Sequence, residues 1–317
     1  MTVPSNTIQA NRVGQREDLS DKIAQLFPDD CPFINSIGTA KVSATYTEWQ
    51  TDTLAAANAT NAKVQGDDLA NESRADTVRV GVNTQISTKV VGVSSTTEAV
   101  NKAGRKSELA REIMKAGREL RTDMEMRACG NYASVAPTTT VAGQTAGALA
   151  WLTSNTELGT AGSPANGGWS AKIVAAATNG TQRTFTETLL KTNLQKIWAK
   201  GGNPKFALMS GGEKQNAAAF TGLATQRRET GNKKITIVAG ADVYVSDFGE
   251  IQFVPSRFCS TRDCLNYDPD YWELGTLDPL SVEDLAKTGL ATRKMLSVEW
   301  ALKCLNEAAS GVIRDLT

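Results

Sequence analysis

Few residues of this chain have types and spacing that could carry out chemistry. Ser210–Gln215 reads Ser-Gly-Gly-Glu-Lys-Gln and has the glycines and lysine of a phosphate-binding loop. It lacks the first glycine at the required distance and the Ser or Thr after the lysine, so the backbone cradle and the magnesium ligand are both missing. We interpret Ser210 as the N-cap of a helix instead.

Carboxylate and thiol groups are the other candidates for chemistry. Three acidic pairs could hold a hard cation. None of them is followed by further ligand residues at the spacing of a metal-binding loop, so we interpret them as solvated turns. These pairs are Asp29–Asp30, Asp67–Asp68 and Asp268–Asp270. The odd count of five scattered cysteines indicates reduced thiols. Cys259 and Cys264 could form a local disulfide or half a metal site, but no second pair completes a zinc set.

The bulk composition excludes several classes of protein. Histidine is absent, which removes Ser-His-Asp and Cys-His catalysis and histidine-ligated metals. The chain has 34 basic and 34 acidic residues, which argues against a protein that coats nucleic acid. No window approaches the apolar length of a membrane span, and the N-terminus lacks the features of a signal peptide. We therefore predict no catalytic residue, no metal site and no cofactor.

The clearest structural pattern lies between Thr77 and Asn131. Apolar and β-branched residues alternate with polar ones from Val78 to Val90, which predicts a strand. After Ser107 the period changes to three and four, which predicts an amphipathic helix that Ser107 caps and that ends at Gly130–Asn131. A helix of about 22 residues is roughly 33 Å long. Its apolar residues are Leu109, Ile113, Ala116, Leu120, Met124 and Ala128.

A second strand is predicted at Thr39–Thr51, and the residues between the two strands are small and polar. The two strands form a long hairpin, which is marginally stable in water when it is isolated. A tip of more than twenty residues also argues for a function. We therefore expect adjacent subunits to bury Tyr46, Trp49 and the tip, residues 52–75.

The first forty residues have the pattern of an arm. A short amphipathic helix is predicted at Glu17–Phe27, and an apolar segment, Cys31–Gly38, follows it. Neither segment has enough apolar residues for a core of its own, so we expect both to lie on another surface.

The rest of the chain predicts a small α+β unit over about 170–265, followed by long strands, so the fold class is α+β. The expected helices begin at the capping-box patterns of Thr184–Glu187 and Ser210–Glu213. The first runs through Lys200 with Leu190, Leu194, Ile197 and Trp198 on its apolar face, and the second ends at Phe220. The expected strands are Lys205–Met209, strands within 235–256 with a hairpin tip at Ser246–Gly249, Tyr271–Leu274, Leu290–Cys304 and Val312–Leu316.

Charged residues on the long predicted helix have two open interpretations. The spacings of Glu108 to Arg111 and of Asp123 to Arg127 are typical of surface pairs within one helix. Pairing between subunits is the alternative, because that face is too polar to be core. Tryptophans are interpreted as core or interface anchors rather than ligand-stacking groups; they are Trp49, Trp198, Trp272 and Trp300.

This order of parts resembles the tailed-bacteriophage major capsid proteins of the HK97-like fold. The similar segments indicate the SU10-type major head protein family; they are Phe33–Gly38, Tyr46–Asp52, Gln85–Ser87, Glu98–Leu109, Gly117–Glu125 and, more loosely, Gly147–Asn155. The resemblance covers most of the chain and is weakest at 156–180 and 255–270.

The resemblance implies four parts. Residues 1–38 would be the N-terminal arm and 39–93 the extended loop, a long β-hairpin. Residues 94–131 and 271–317 would form the peripheral domain with its long spine helix, and 132–270 the axial domain. The implied subunit-interface residues are Phe33, Ile34, Tyr46, Glu48, Trp49, Lys63, Arg105, Lys106, Arg111, Arg118, Arg227 and Arg228.

The implied function is self-assembly into the hexamers and pentamers of an icosahedral phage shell that encloses double-stranded DNA. The implied partners are other copies of the chain, a portal protein at one vertex, separate scaffold and decoration proteins, and packaged DNA through weak non-specific contact, with no membrane. Assembly would take place in the host bacterial cytoplasm, and the product would be the virion capsid. A tail or baseplate structural protein is the alternative, and an enzyme with a carboxylate or lysine mechanism is the third class.

The sequence departs from some relatives in one respect. They carry a helical scaffolding segment ahead of the arm, whereas this chain begins almost at the arm with Met1. We therefore expect a separate scaffold protein or none. Lys63 is suitably placed on the loop tip for covalent crosslinking to asparagine, but nothing marks an activating carboxylate, so no crosslink is predicted.

Overall fold

A computed structural model describes residues 28, 30–66, 68, 74–100, 106–165, 173–220, 243–287 and 289–317. The helices are α1 (Pro32–Ser36), α2 (Ser95–Ala99), α3 (Glu108–Cys129), α4 (Ala148–Trp151), α5 (Glu187–Ala199) and α6 (Gly211–Ala218). The strands are β1 (Gly38–Lys41), β2 (Tyr46–Thr51), β3 (Val78–Asn83), β4 (Gln85–Ser94), β5 (Thr156–Glu157), β6 (Phe206–Met209), β7 (Val243–Ser246), β8 (Gly249–Pro255), β9 (Cys264–Tyr267), β10 (Trp272–Leu285), β11 (Ala291–Cys304) and β12 (Gly311–Ile313). The helix predicted at 17–27 lies outside the described residues.

The long helix α3 confirms the strongest sequence prediction. The Ser107 hydroxyl oxygen accepts the N–H of Ala110 at 3.3 Å, and Gly130 ends the helix. Four of the predicted apolar residues are buried: Ala116, Leu120, Met124 and Ala128. They contribute to the larger core cluster, which also contains Leu296, Val298 and Trp300 of β11.

Replacing Ser107 by Ala tests the start of α3. The substitution removes the acceptor for the Ala110 amide, so we expect unfolding free energy to fall by about 1 kcal/mol. Urea unfolding of unassembled subunits measures the change. Met114→Ala is the control, because Met114 lies on the exposed face of the same helix. Equal stabilities for the two variants would contradict a capping role for Ser107.

The predicted strand over 77–93 is two strands that meet at Thr84. β3 pairs with β2, whereas β4 pairs with β11 at the edge of a four-stranded sheet with the order β1-β10-β11-β4. Residues 80–84 are all buried, and from Gln85 onward the even-numbered residues of β4 are the exposed ones. Val80 and Val82 of β3 are therefore buried. Ile86 and Val90 of β4, which continue the same alternation in the sequence, are 66% and 51% exposed.

The predicted hairpin is present as the antiparallel pair β2–β3, from Tyr46 opposite Asn83 to Thr51 opposite Val78. It forms a two-stranded sheet separate from the others. The flanking strands β1 and β4 pair within the four-stranded sheet. The hairpin outside that sheet is therefore shorter than the range 39–93.

The α+β unit is built on a six-stranded sheet with the order β5-β12-β9-β6-β8-β7. Leu190, Leu194, Met209 and Phe253 form part of its core. The C-terminal strand β12 pairs with β9 and β5 in this sheet and not with the long strands β10 and β11 before it. Ile313 and Leu316 are buried in the same core.

Helix α5 begins two residues later than the capping-box pattern predicts, and its apolar face also differs from the prediction. Its N-cap is Thr186, whose hydroxyl oxygen accepts the N–H of Leu189, and not Thr184. Trp198 does not belong to its apolar face: the side chain is 59% exposed and contacts Phe248 with ring centroids 5.2 Å apart. Leu190, Leu194 and Ile197 are buried as predicted.

All five cysteines are buried and none forms a disulfide, so Cys259 and Cys264 are not paired. In the described part of the chain no three His, Cys, Asp or Glu side chains are placed to hold a metal ion. No described helix has the length and apolarity needed to cross a membrane.

Candidate assembly surfaces

A carboxylate of α3 attaches the end of the arm, helix α1, to the rest of the subunit. Helix α1 has no side-chain cap at Cys31, so its first N–H groups need another acceptor. The N–H of Phe33 donates to Glu125 Oε1 at 2.8 Å and the N–H of Ile34 to Oε2 at 2.9 Å. Glu125 of α3 therefore caps a helix about ninety residues away in sequence.

The ring of Phe33 is buried within the chain's own core. Its centroid lies 5.1 Å from that of Tyr267 and 5.8 Å from that of Trp272, both in edge-to-face geometry. Ile34 is partly buried against the same cluster. The apolar segment therefore lies on a surface of its own subunit, and a role for Phe33 at a subunit interface stays a prediction.

Glu125 is fully buried, and its surroundings have opposing effects on its pKa. Burial raises the pKa of Glu125 above its usual value. The amides of Ile34 and Phe33, the Cys129 thiol at 3.5 Å and the charge of Arg121 oppose that rise. The net raised pKa means that the folded protein binds this proton more tightly than the unfolded chain does.

Glu125→Gln should have a pH-dependent effect on stability. Because the pKa of Glu125 is raised in the folded state, protonation of this carboxyl stabilises the folded wild-type protein below pH 4.5. That stability is lost as pH rises above 4.5 through the folded pKa. Gln has one acceptor for two amides and does not titrate, so the variant is less stable at low pH. We expect this deficit, the difference in unfolding free energy between wild type and variant, to shrink as pH rises. The change is about 1.4 kcal/mol for each unit of pKa shift.

Urea unfolding of both proteins at pH 4.5 and 7.5 measures this difference. Wild-type and variant share all other titrating groups, so those contributions cancel. A deficit that stays constant or grows with pH would contradict a raised pKa at Glu125.

The base of the hairpin packs on its own subunit. Trp49 Nε1 donates to the carbonyl oxygen of Cys304 at 3.0 Å, and its ring centroid lies 5.5 Å from that of Trp151. Glu48 forms an ion pair with Arg79 across the two strands. Trp49 is thus half-buried within one chain, and burial of the rest of its surface by a neighbour stays a prediction.

The hairpin tip is exposed along its described length. All residues of 52–66 are exposed, including Lys63. Leu54 is 100% and Val64 77% exposed. A single subunit gains no stability from such apolar side chains, so the tip is a candidate surface for binding another molecule.

The charged face of α3 contains both predicted and unpredicted pairs. Arg111 Nη1 lies 3.1 Å from Glu108, as the spacing predicts, and 3.0 Å from its neighbour Glu112, a contact that was not predicted. Asp123 instead pairs with Lys89 of β4 at 2.7 Å. The predicted pair of Asp123 with Arg127 is wrong, since Arg127 donates to the carbonyl oxygens of Thr145 and Ala133.

The other predicted interface cations are divided between exposed and undescribed positions. Lys106 and Arg118 are exposed. Arg105, Arg227 and Arg228 lie outside the described residues.

The residues considered for chemistry have structural roles. Ser210 accepts the N–H of Glu213 at 3.3 Å, which confirms it as a helix cap. The Lys214 ammonium donates to the carbonyl oxygen of Phe253. Asp268 and Asp270 share the ammonium of Lys205.

Sequence reasoning missed a group of buried charges around Asp315. Its carboxylate accepts the N–H groups of Gly159 and Gly180 at 3.0 and 2.8 Å and pairs with Arg262 at 2.9 Å. The neighbouring Arg314 is buried with Nε 3.6 Å from Asp263. These contacts join segments far apart in sequence, and no local pattern indicates them.

Comparison with known proteins gives concordant results. The family model described as SU10 major capsid protein matches residues 3–317. The major capsid protein of Escherichia phage Phieco32 is 24% identical over 99% of this chain and 97% of its own length. The capsid asymmetric unit of cyanophage A-1(L) has a TM-score of 0.70 at 15% identity, covering 96% of this chain and 97% of that chain. The capsid of cyanophage P-SCSP1u has a TM-score of 0.60 at 14% identity, covering 100% and 99%.

Proposed function

The chain belongs to the SU10 major capsid protein family, and from that premise we propose how its subunits form a shell. It is a phage major capsid protein with the HK97-like fold, a component of the virion capsid that self-assembles. The proposal is that it forms hexamers and pentamers of an icosahedral shell around double-stranded DNA. The observation that carries it is the exposed hairpin tip, with Leu54 fully exposed.

In this proposal the hairpin tip of one subunit contacts the next. Lys63 at the tip, Lys106 just before α3 and Arg118 on α3 are exposed, and in this proposal they lie at the contacts. Ile34 and Tyr46 contribute where they are only partly buried. Arg105, Arg227 and Arg228 remain predictions from the resemblance. Each contact is modest, and assembly is favourable because every subunit makes many of them.

The division into four parts is also a proposal. It keeps an arm at 1–38, an extended loop within 39–93, a peripheral domain with α3 and the long strands, and an axial domain within 132–270. The pairing of β12 with β9 supports counting the last residues with the axial domain.

We further propose a portal protein at one vertex, separate scaffold and decoration proteins, and assembly in the host bacterial cytoplasm. A structural capsid family suggests a role without catalysis. The formal net charge of zero suits a wall that confines DNA without binding it tightly.

Duplex DNA should bind unassembled subunits only weakly. With no net positive charge to release counterions, we expect a Kd no tighter than about 10⁻⁴ M at physiological salt, the weak end of non-specific binding. Fluorescence anisotropy of a labelled duplex measures it. Micromolar affinity that falls steeply with salt would contradict weak contact between the wall and DNA.

Electron microscopy of the purified wild-type protein tests the main proposal. Closed particles with icosahedral symmetry are the expected result. Rings or tubes would support the tail or baseplate alternative instead.

A further inference from the structure

Asn179–Gly180 is one of two Asn-Gly pairs in the chain, the other being Asn166–Gly167. An asparagine before glycine is prone to deamidation, because glycine has no side chain to hinder its backbone nitrogen and its backbone turns freely. Asn179 is exposed, and its side chain makes no hydrogen bond to any residue that the structure describes. The dipeptide is therefore a candidate site of spontaneous covalent modification.

Packing requires a glycine at position 180. A Cβ atom there would lie 2.7 Å from the backbone nitrogen of Gly162 and 2.8 Å from the carbonyl oxygens of Gly159 and Thr160. These are backbone atoms, which cannot rotate away as the end of a long side chain can. The fold therefore cannot avoid the reactive pair by placing another residue at 180.

The nitrogen that would react is held by a buried carboxylate. The N–H of Gly180 donates to Asp315 Oδ1 at 2.8 Å, and Asp315 is 1% exposed. Arg262 Nη2 donates both to Asp315 Oδ1 at 2.9 Å and to the carbonyl oxygen of Gly180 at 2.7 Å. Backbone hydrogen bonds also hold the residues on either side of the dipeptide, Thr178 and Thr181. The Gly180 peptide thus has little freedom to turn towards the Asn179 side chain.

Deamidation would have to break the contact with Asp315. In its first step the Gly180 nitrogen attacks the side-chain carbonyl carbon of Asn179, a C–N bond forms, and the side-chain nitrogen leaves as ammonia with the proton of the Gly180 N–H. The resulting cyclic imide has no N–H, so nothing remains to donate to Asp315. A hydrogen bond to a charged acceptor is strong enough for its loss to slow this step about tenfold or more.

We propose that Asn179 is a latent deamidation site and that Asp315 keeps it unreacted in the folded subunit. In an unfolded chain the imide forms and water then opens it. Opening at the main-chain carbonyl gives isoaspartate, which adds one carbon atom to the backbone ahead of Gly180. The close backbone contacts around Gly180 leave no room for that atom, so a chain that has reacted cannot regain the native contact. All of these contacts lie within one subunit, so the inference does not require assembly.

Incubation of unassembled wild-type subunits at mildly alkaline pH, in water labelled with heavy oxygen, is the first test. Trypsin places Asn179 in the peptide Ile173–Arg183 and Asn166 in the peptide that ends at Lys172, and mass spectrometry measures the label in each. Asn179 should react at least about tenfold more slowly in folded subunits than in urea. In urea the two Asn-Gly pairs should react at similar rates, which controls for the local sequence. Equal rates for Asn179 with and without urea would overturn the inference.

Asp315→Gly tests whether the carboxylate is responsible. The φ angle of Asp315 is +60°, which glycine adopts freely, so the substitution removes the acceptor and keeps the backbone. Deamidation of Asn179 in the folded variant should be at least about tenfold faster than in wild type. Leu316→Ala is the matched control, because it truncates the adjacent buried side chain and lowers stability without removing the acceptor. Equal acceleration in both variants would show reaction through unfolding and overturn the role of Asp315.

Asp315→Asn serves if circular dichroism shows that Asp315→Gly does not fold. Asparagine also adopts a positive φ, and its neutral oxygen accepts an N–H about half as strongly as a carboxylate does. Deamidation of Asn179 should then be several-fold faster than in wild type. A folded Asp315→Asn subunit that reacts at the wild-type rate would overturn the inference.

Discussion

Removing residues 52–75 should abolish shell formation and leave the subunit folded. Joining Thr51 to Asp76 through Asn-Gly leaves a four-residue connection between the paired residues Thr51 and Val78, a length that hairpins accommodate, so the β2–β3 ladder is kept. Leu54 and Val64 are exposed in one subunit. Burial of each against a neighbour contributes about 1.5–3 kcal/mol. A loss of about 3 kcal/mol per contact lowers an association constant by roughly 100-fold.

Particle yield after gradient sedimentation measures the effect, and circular dichroism and Tm report on the fold. The deleted subunit should sediment as a monomer with a Tm close to that of the wild type. Leu54→Ala/Val64→Ala keeps the loop length and should give an intermediate yield. Particles from the deletion variant at wild-type yield would refute the role of the tip.

Phe33→Ala should destabilise the subunit by about 3–5 kcal/mol, the usual cost of truncating a buried Phe. The ring is buried between Tyr267 and Trp272, so its removal leaves a cavity and two lost edge-to-face contacts. This expectation is opposite to that for an interface residue, whose truncation would spare the monomer.

Urea unfolding followed by tryptophan fluorescence measures the change. Leu54→Ala is the control, because a fully exposed side chain contributes nothing to the fold of one subunit. A loss below about 1 kcal/mol would place Phe33 outside the core, since surface substitutions have effects of that size.

Elements with strong local signals could be predicted from the sequence. Helix α3 was predicted almost to the residue, because Ser107, the apolar period and Gly130 all act within one turn of the element they define. The hairpin and the long strand β11 were predicted from alternation for the same reason.

The break at Thr84 could not be predicted from alternation. The pattern of Val78 to Val90 is unbroken in the sequence, but β3 and β4 belong to different sheets. Which face is buried depends on those partners and not on the strand itself. Trp198 shows the same limit, since its position on α5 fits the apolar face while its side chain is exposed.

Contacts between distant segments were missed altogether. Glu125 looked like one more charged residue on a helix surface, and its role appears only where the amides of Phe33 and Ile34 meet it. The buried pair of Arg314 and Asp263 likewise depends on how β12 packs beside β9. A sequence pattern reports on neighbours along the chain and carries no information on such pairs.

The burial of all five thiols makes the capsid a suitable platform for site-specific conjugation. Burial raises the pKa of Cys259 to about 12 and also raises the pKa values of Cys129, Cys264 and Cys304. Maleimides react with accessible thiolates, so native subunits should resist labelling. A cysteine introduced at an exposed residue outside the proposed contacts, such as Lys200, would then be the one reactive thiol per subunit, and dyes or ligands could be attached there in defined stoichiometry.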